Sequence, residues 1–185
     1  LGTFHSISAK LLRKHADAVG LKSNFSIIDQ DDQVRLIKNI CKAENVDIKK
    51  ISPKFILAII DKWKNKGFYP QDVILKRKDP LEKNFLSIYK IYQEKLVNLN
   101  SADFSDLILH TLKIFEKYTD IAELYSKKFK YILVDEYQDT NFIQSEWLRH
   151  LSGHNKNICC VGDDDQSIYS WRGAEIKNFL EFDKV

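Results

Sequence analysis

The chain reads as an α/β fold: part of a doubly wound parallel sheet that carries a large all-helical insertion and is mostly helical by content. Two short apolar runs, Tyr131-Ile132-Leu133-Val134 and Ile158-Cys159-Cys160-Val161, have the character of strands buried on both faces of a parallel sheet. Each stops abruptly at acidic or Gly-acidic residues, so both acidic clusters are expected at carboxyl ends of strands, the edge where open α/β sheets bind ligands. Between residues 24 and 99, in contrast, apolar residues recur at helical spacing almost without interruption.

Taken in order, Leu1 to His5 reads as the end of a strand, and Ser6 to about Val19 as a helix stopped by Gly20. Asp29 can cap a helix reaching Ala43, with Val34, Ile37, Ile40 and Cys41 inward. Ser52-Pro53 has the cap-then-proline order of a second helix, through Ile56, Ile60 and Trp63 to a stop at Gly67. Asp79-Pro80 opens a third, with Leu81, Phe85, Ile88, Tyr92, Leu96 and Leu99 at spacings of three and four. Asn98 to Ala102 is a return crossing. Asp103 caps the next helix, with Phe104, Leu107, Ile108, Leu112 and Phe115 facing inward, and Asn141 to Leu151 forms another, ended by Gly153. A last helix starts near Ala174.

The 185 residues are enough for one domain and a sizeable core, and no apolar run is long enough to span a bilayer. Cys41, Cys159 and Cys160 lack both a disulfide framework and metal-ligand spacing; they read as packing residues in a reducing, cytoplasmic setting. Charge is unevenly placed. Residues 1–100 hold 19 Lys and Arg against 11 Asp and Glu, whereas residues 101–185 hold 10 against 15. A basic half points to a phosphate backbone and an acidic half to a cation-and-nucleotide site. Methionine is absent and the chain starts directly on a motif, as a piece of a longer protein would. No G-x-x-x-x-G-K-[ST] pattern occurs among its six glycines, so only half of a nucleotide site is expected.

Asp135 and Glu136 are adjacent carboxylates at a strand tip. One can hold a hard cation while its neighbour orients or deprotonates a water, the division of labour in phosphoryl transfer. The second strand end leads from Gly162-Asp163 into Gln166, Tyr169, Trp171 and Arg172: a polar sensor, two aromatics and a cation leave one turn together.

VDEYQDT and VGDDDQSIYSWRGA resemble motifs II and III of superfamily 1 DNA helicases of the UvrD, Rep and PcrA type. Gly2-Thr3-Phe4-His5-Ser6 is similar to motif Ib of that family, and Asp103-Phe104-Ser105-Asp106-Leu107 to its DFxDL helix start. The four blocks stand in family order over nearly the whole chain. The resemblance implies a partial RecA-like (P-loop NTPase) domain, formed by residues 1–20 and 101–185 around a helical 1B-type insertion at 21–100. It implies an ATP-dependent helicase and translocase, moving 3′ to 5′, with Mg²⁺ on Asp135, water activation by Glu136, γ-phosphate sensing by Gln166, and Arg172 tying its loop to the acidic cluster. Thr3, His5, Tyr169 and Trp171 would contact single-stranded DNA, the aromatics as a stacking surface. Lys64, Lys66, Arg77 and Lys78 would track phosphates of junction DNA. The P-loop segment and second RecA-like domain would come from the rest of the parent protein, so the isolated chain is expected to be inactive. Ser105 replaces a frequent second acid of DFxDL and Asp164 holds a variable place; neither is assigned a role.

Two other readings stay open. One is a non-catalytic module that binds single-stranded DNA or a partner on the same fold. The other is a metal-dependent nuclease or phosphohydrolase built on Asp135, Glu136, Asp163 and Asp165.

Overall fold

The computed structural model describes residues 1–75, 80–153, 156–168, 174 and 176–180. Eight α-helices and four short strands occur among them: α1 Phe4–Lys14, β1 Ser26–Ile27, α2 Gln30–Ala43, α3 Pro53–Lys64, α4 Pro80–Asn98, β2 Ser101–Ala102, α5 Phe104–Lys117, α6 Thr119–Lys128, β3 Ile132–Val134, α7 Phe142–Ser152, β4 Ile158–Cys160 and α8 Ile176–Leu180. The fold is mostly helical with two small parallel sheets, β1 on β2 and β3 on β4.

Helix starts follow side-chain chemistry. Asp29, Ser52, Asp103 and Asn141 each accept a hydrogen bond from the amide three residues on, satisfying a donor the helix cannot pair itself. The same logic corrects the strand expected at Leu1–His5. Thr3 Oγ1 accepts from the Ser6 amide at 3.2 Å and the Thr3 carbonyl from Ile7, so the helix already begins at Phe4. That helix ends at Lys14, and a separate 3-10 turn over Ala16–Val19 runs into Gly20, whose φ of +77° suits glycine.

Three apolar cores form. Helices α2, α3 and α4 enclose one around Ile37, Ile56, Ile60, Tyr89, Tyr92 and Leu96. The second lies among α1, α5, α6, α7 and β3, with Leu109, Phe115, Ile143, Trp147 and Leu148. A third joins Leu12 and Phe25 to Leu107 and Ile114. The stretch expected to be wholly helical from Asn24 includes a strand: Ser26–Ile27 pairs in parallel with Ser101–Ala102, so the chain enters and leaves the α2–α4 layer through neighbouring strands.

Burial expectations fail at several positions, among them Leu81 and Leu99, which stand exposed at the two ends of the α4 stripe. Phe104 is exposed as the first residue of α5, its ring set edge-to-face with His5, ring centroids 5.8 Å apart. Strand β3 is not covered on both faces: Val134 is buried while Leu133 is 80% exposed, and its partner Cys159 is exposed too. Successive strand residues face opposite ways, and among the described residues these two strands pair only with each other, with the helices on the Val134 side.

Candidate functional site

Strands β3 and β4 run parallel with Val134 opposite Cys160, so both acidic loops leave the same edge. Val161 then grips the first loop from both sides. Its amide donates to the Val134 carbonyl at 2.8 Å and its carbonyl accepts from the Tyr137 amide at 2.9 Å. Asp135 and Glu136, the residues between those bonds, are pushed out as an exposed two-residue projection. Glu136 adopts φ +54°, a left-handed conformation that costs a non-glycine residue on the order of 1–2 kcal/mol and clusters at functional sites. Asp135 Oδ1 accepts from the Glu136 amide at 3.0 Å.

Behind the projection sits Gln138, 0% exposed. Its Nε2 donates to Glu136 Oε2 at 2.6 Å and its Oε1 accepts from the Asp163 amide at 3.1 Å. One buried side chain therefore joins the end of β3 to the end of β4. Sequence reasoning assigns it no role; an amide standing inside the acidic motif, between two acidic strand ends, is the signal that could have found it. Beyond it, Asp163 caps the 3-10 turn Asp164–Gln166: Oδ1 accepts from the Asp165 amide at 3.1 Å and Oδ2 from Gln166 Nε2 at 2.7 Å. Asp135, Glu136, Asp163 and Gln166 are thus brought together.

The donor set suits a magnesium–nucleotide substrate. Mg²⁺ is ordinarily held by one or two carboxylates with phosphate oxygens and water rather than by a protein cage. Among the described residues no three His, Cys, Asp or Glu side chains converge on one point, and Asp135 is one of the exposed carboxylates at this edge.

Lys64 is not a surface contact. It is 0% exposed, with Nζ 2.6 Å from Asp103 Oδ2 and 2.7 Å from Asp106 Oδ1. The remaining carboxylate oxygens close a reciprocal cap at the start of α5: Asp103 Oδ1 accepts from the Asp106 amide at 2.8 Å and Asp106 Oδ2 from the Asp103 amide at 3.2 Å. Tyr92 donates to Asp103 and Gln93 to Asp106, and the ammonium lies 5.1 Å from the Tyr92 ring centre. Burial alone would push the lysine down, but the two carboxylates outweigh it and hold the ammonium above its ordinary value. A lysine so enclosed cannot reach a DNA phosphate. Lys66, two residues on, is exposed.

Thr3 is exposed and caps α1, whereas His5 is half-buried and burial lowers its pKa. Next to Lys64, Asn65 reaches the helix after the acidic motif: its Oδ1 accepts from Asn141 Nδ2 at 3.1 Å and its carbonyl from the Ile143 amide at 3.3 Å. Arg77, Lys78, Tyr169, Trp171 and Arg172 lie outside the described residues. Of the three cysteines, Cys41 is buried, Cys160 half-buried and Cys159 exposed. Burial and the neighbouring Cys159 push the Cys160 thiol up to about 12.

No helix among the described residues is long and apolar enough to cross a membrane. A probable DNA helicase II homolog of Rickettsia conorii is 46% identical over 187 residues, covering 100% of this chain and 29% of that protein. The ATP-dependent DNA helicase PcrA of Staphylococcus epidermidis is 42% identical over 184 residues, covering 100% of this chain and 25% of that protein. The chain thus spans between a quarter and a third of the length of these curated relatives. The profile of the UvrD/REP helicase N-terminal domain matches residues 1–185, and a chain matched from end to end in this way belongs to the UvrD/REP helicase family.

Proposed function

We propose that the chain is the part of an ATP-driven DNA helicase that carries the water-activating half of its nucleotide site. The supporting observation is the Asp135–Glu136 projection, bracketed by Val161 beside the Asp163–Gln166 turn at one edge of parallel strands. Asp135 would hold Mg²⁺, which when bound offsets charge on the triphosphate. Glu136 would orient and deprotonate the water attacking the γ-phosphorus. As the new P–O bond forms, the bond to the β–γ bridging oxygen breaks, and ADP and phosphate leave. Gln166 would sense the γ-phosphate. Residues 1–20 and 101–185 would be the RecA-like part, with 21–100 the inserted helical layer, and Thr3, His5, Lys66, Arg77, Lys78, Tyr169 and Trp171 would face DNA. Arg172 would tie the second loop to the acids. The parent protein would move 3′ to 5′ on single-stranded DNA and unwind duplexes in repair or replication, with the P-loop and second RecA-like domain supplied from outside these residues.

The nuclease reading is less well supported, because both Asp163 carboxylate oxygens are already engaged within its own turn. Glu136→Gln in the full-length protein tests the reading. It should lower DNA-stimulated phosphate release about 10²- to 10⁴-fold, the usual worth of a positioned general base, while leaving ATP binding intact. Wild-type turnover in that variant, or cleavage of DNA by the parent that depends on Glu136, would overturn it.

A further inference from the structure

We propose that Gln138 is a positioning residue that couples the γ-phosphate sensor to the water-activating carboxylate. The inference rests on the nucleotide-site reading above and deepens it by naming how the two strand ends communicate. A continuous line of hydrogen bonds carries it. Gln166 Nε2 donates to Asp163 Oδ2, the Asp163 amide donates to Gln138 Oε1, and Gln138 Nε2 donates to Glu136 Oε2, at 2.7, 3.1 and 2.6 Å.

The partners leave the central amide no freedom. An ionised carboxylate only accepts and a backbone amide only donates, so Gln138 must present nitrogen to Glu136 and oxygen to Asp163. A glutamate could keep the Asp163 contact but would set a second carboxylate against Glu136, and a leucine could make neither bond. Gln138 itself is fully enclosed, whereas Glu136, Asp163 and Gln166 are all exposed. The bridge is thus the buried member of a line whose two ends reach solvent.

Its neighbours make movement at one end felt at the other. Val161 fixes the backbone on both sides of Asp135–Glu136, so the Glu136 side chain is what remains to be set, and Gln138 sets it. When Gln166 turns toward a γ-phosphate it gives up its bond to Asp163. Asp163 Oδ2 then loses its partner, and the shift of Asp163 that follows re-aims the Glu136 carboxylate through Gln138. With no phosphate to draw Gln166 away, the line stays closed and Glu136 is held back against Gln138.

Steady-state ATPase measurements on the full-length protein, with Gln138→Glu and Gln138→Leu beside Glu136→Gln, test the assignment. Both Gln138 variants should lose about 10- to 100-fold in kcat, the scale of a misplaced reacting group, with KM for ATP changed less than about threefold. A Gln138→Glu enzyme with wild-type kcat would overturn the proposal, as would a defect confined to Gln138→Leu, since that pattern assigns the side chain only to anchoring Asp163. Should a Gln138 variant fail to fold, hydrogen exchange in full-length Glu136→Ala gives the answer: the Asp163 amide should exchange faster than in wild type, and unchanged exchange would overturn the line of coupling. Full activity in Glu136→Gln would instead sink the function on which the proposal rests. Loss of activity there with normal Gln138→Glu would sink the proposal alone.

Discussion

Lys64 and Asp103 form a fully buried ion pair, Nζ to Oδ2 2.6 Å, across the contact between α3 of the helical layer and the capped start of α5. Asp106 completes it from the other side at 2.7 Å. Each carboxylate divides its oxygens between capping the helix and holding the lysine. The residues that start α5 are therefore also those that fix the helical layer against it.

Removing the lysine should expose the cost of that arrangement. Lys64→Met leaves two carboxylates buried without a counter-charge, and urea unfolding should show a loss of about 3–5 kcal/mol. The triple variant Lys64→Met, Asp103→Asn, Asp106→Asn should recover much of it, since asparagine caps a helix as well as aspartate does. A single variant within about 0.5 kcal/mol of wild type, the range of an ordinary surface change, would show that the ion pair does not hold the layer.

Asp61 gives the same region a pH dependence. Burial first, and then the charge of Asp103, pushes it up to about 6, against the opposing effects of Lys64 and a hydrogen bond from Ser105. An acid whose pKa is higher folded than unfolded binds its proton more tightly in the native state. Its contribution is therefore full below the ordinary 3.8 and is lost as pH rises through about 6. Asp61→Asn should stabilise the protein on the order of 2 kcal/mol at pH 7.5 relative to wild type, with the gain vanishing near pH 4. A gain independent of pH would contradict this.

If the basic half binds DNA as proposed, binding should respond to Lys66, Arg77 and Lys78 and not to the buried Lys64. Neutralising Lys66, Arg77 and Lys78 together should reduce the slope of log affinity against log salt by about 0.7–0.9 for each phosphate these side chains had neutralised. The Lys64→Met, Asp103→Asn, Asp106→Asn variant should leave that slope unchanged in filter-binding titrations. A flattened slope there would return Lys64 to the DNA surface.

In the full-length protein, Trp171→Ala should weaken single-stranded DNA binding by roughly 1–3 kcal/mol, the worth of one base–aromatic stack. Unwinding should fall further than basal ATP turnover. Unfolding of the variant with unchanged DNA affinity in the surviving folded fraction would assign the ring to the core.

How much of the fold is legible in the sequence follows from the range of the forces involved. Caps at Asp29, Ser52 and Asp103 are local, each bond spanning three residues, whereas the helix read as far as Gly20 ends at Lys14. Lys64 misleads because a lysine normally keeps its head in water. Its position nonetheless extends the buried stripe of Ile56 and Ile60 by one further step of four. That register is the warning, and only the placement of Asp103 and Asp106, about forty residues on, explains it. The acidic edge is legible because apolar runs ending in acids are a strand-level pattern. The Gln138 bridge is not, because its second partner lies 25 residues away on another strand.

The parallel pairing of Ser26–Ile27 with Ser101–Ala102 also bears on how such a chain can be cut and rejoined. The strands run the same way, so the end of β1 and the start of β2 lie at opposite ends of the pair, and the return between them needs a crossover of about a dozen residues or more. Any replacement of the intervening segment must itself cross back along the strands, which a foreign helical unit of different length and charge can do and a short linker cannot. Such a unit would lose the fastening to α5 unless it brought its own buried cation to Asp103 and Asp106.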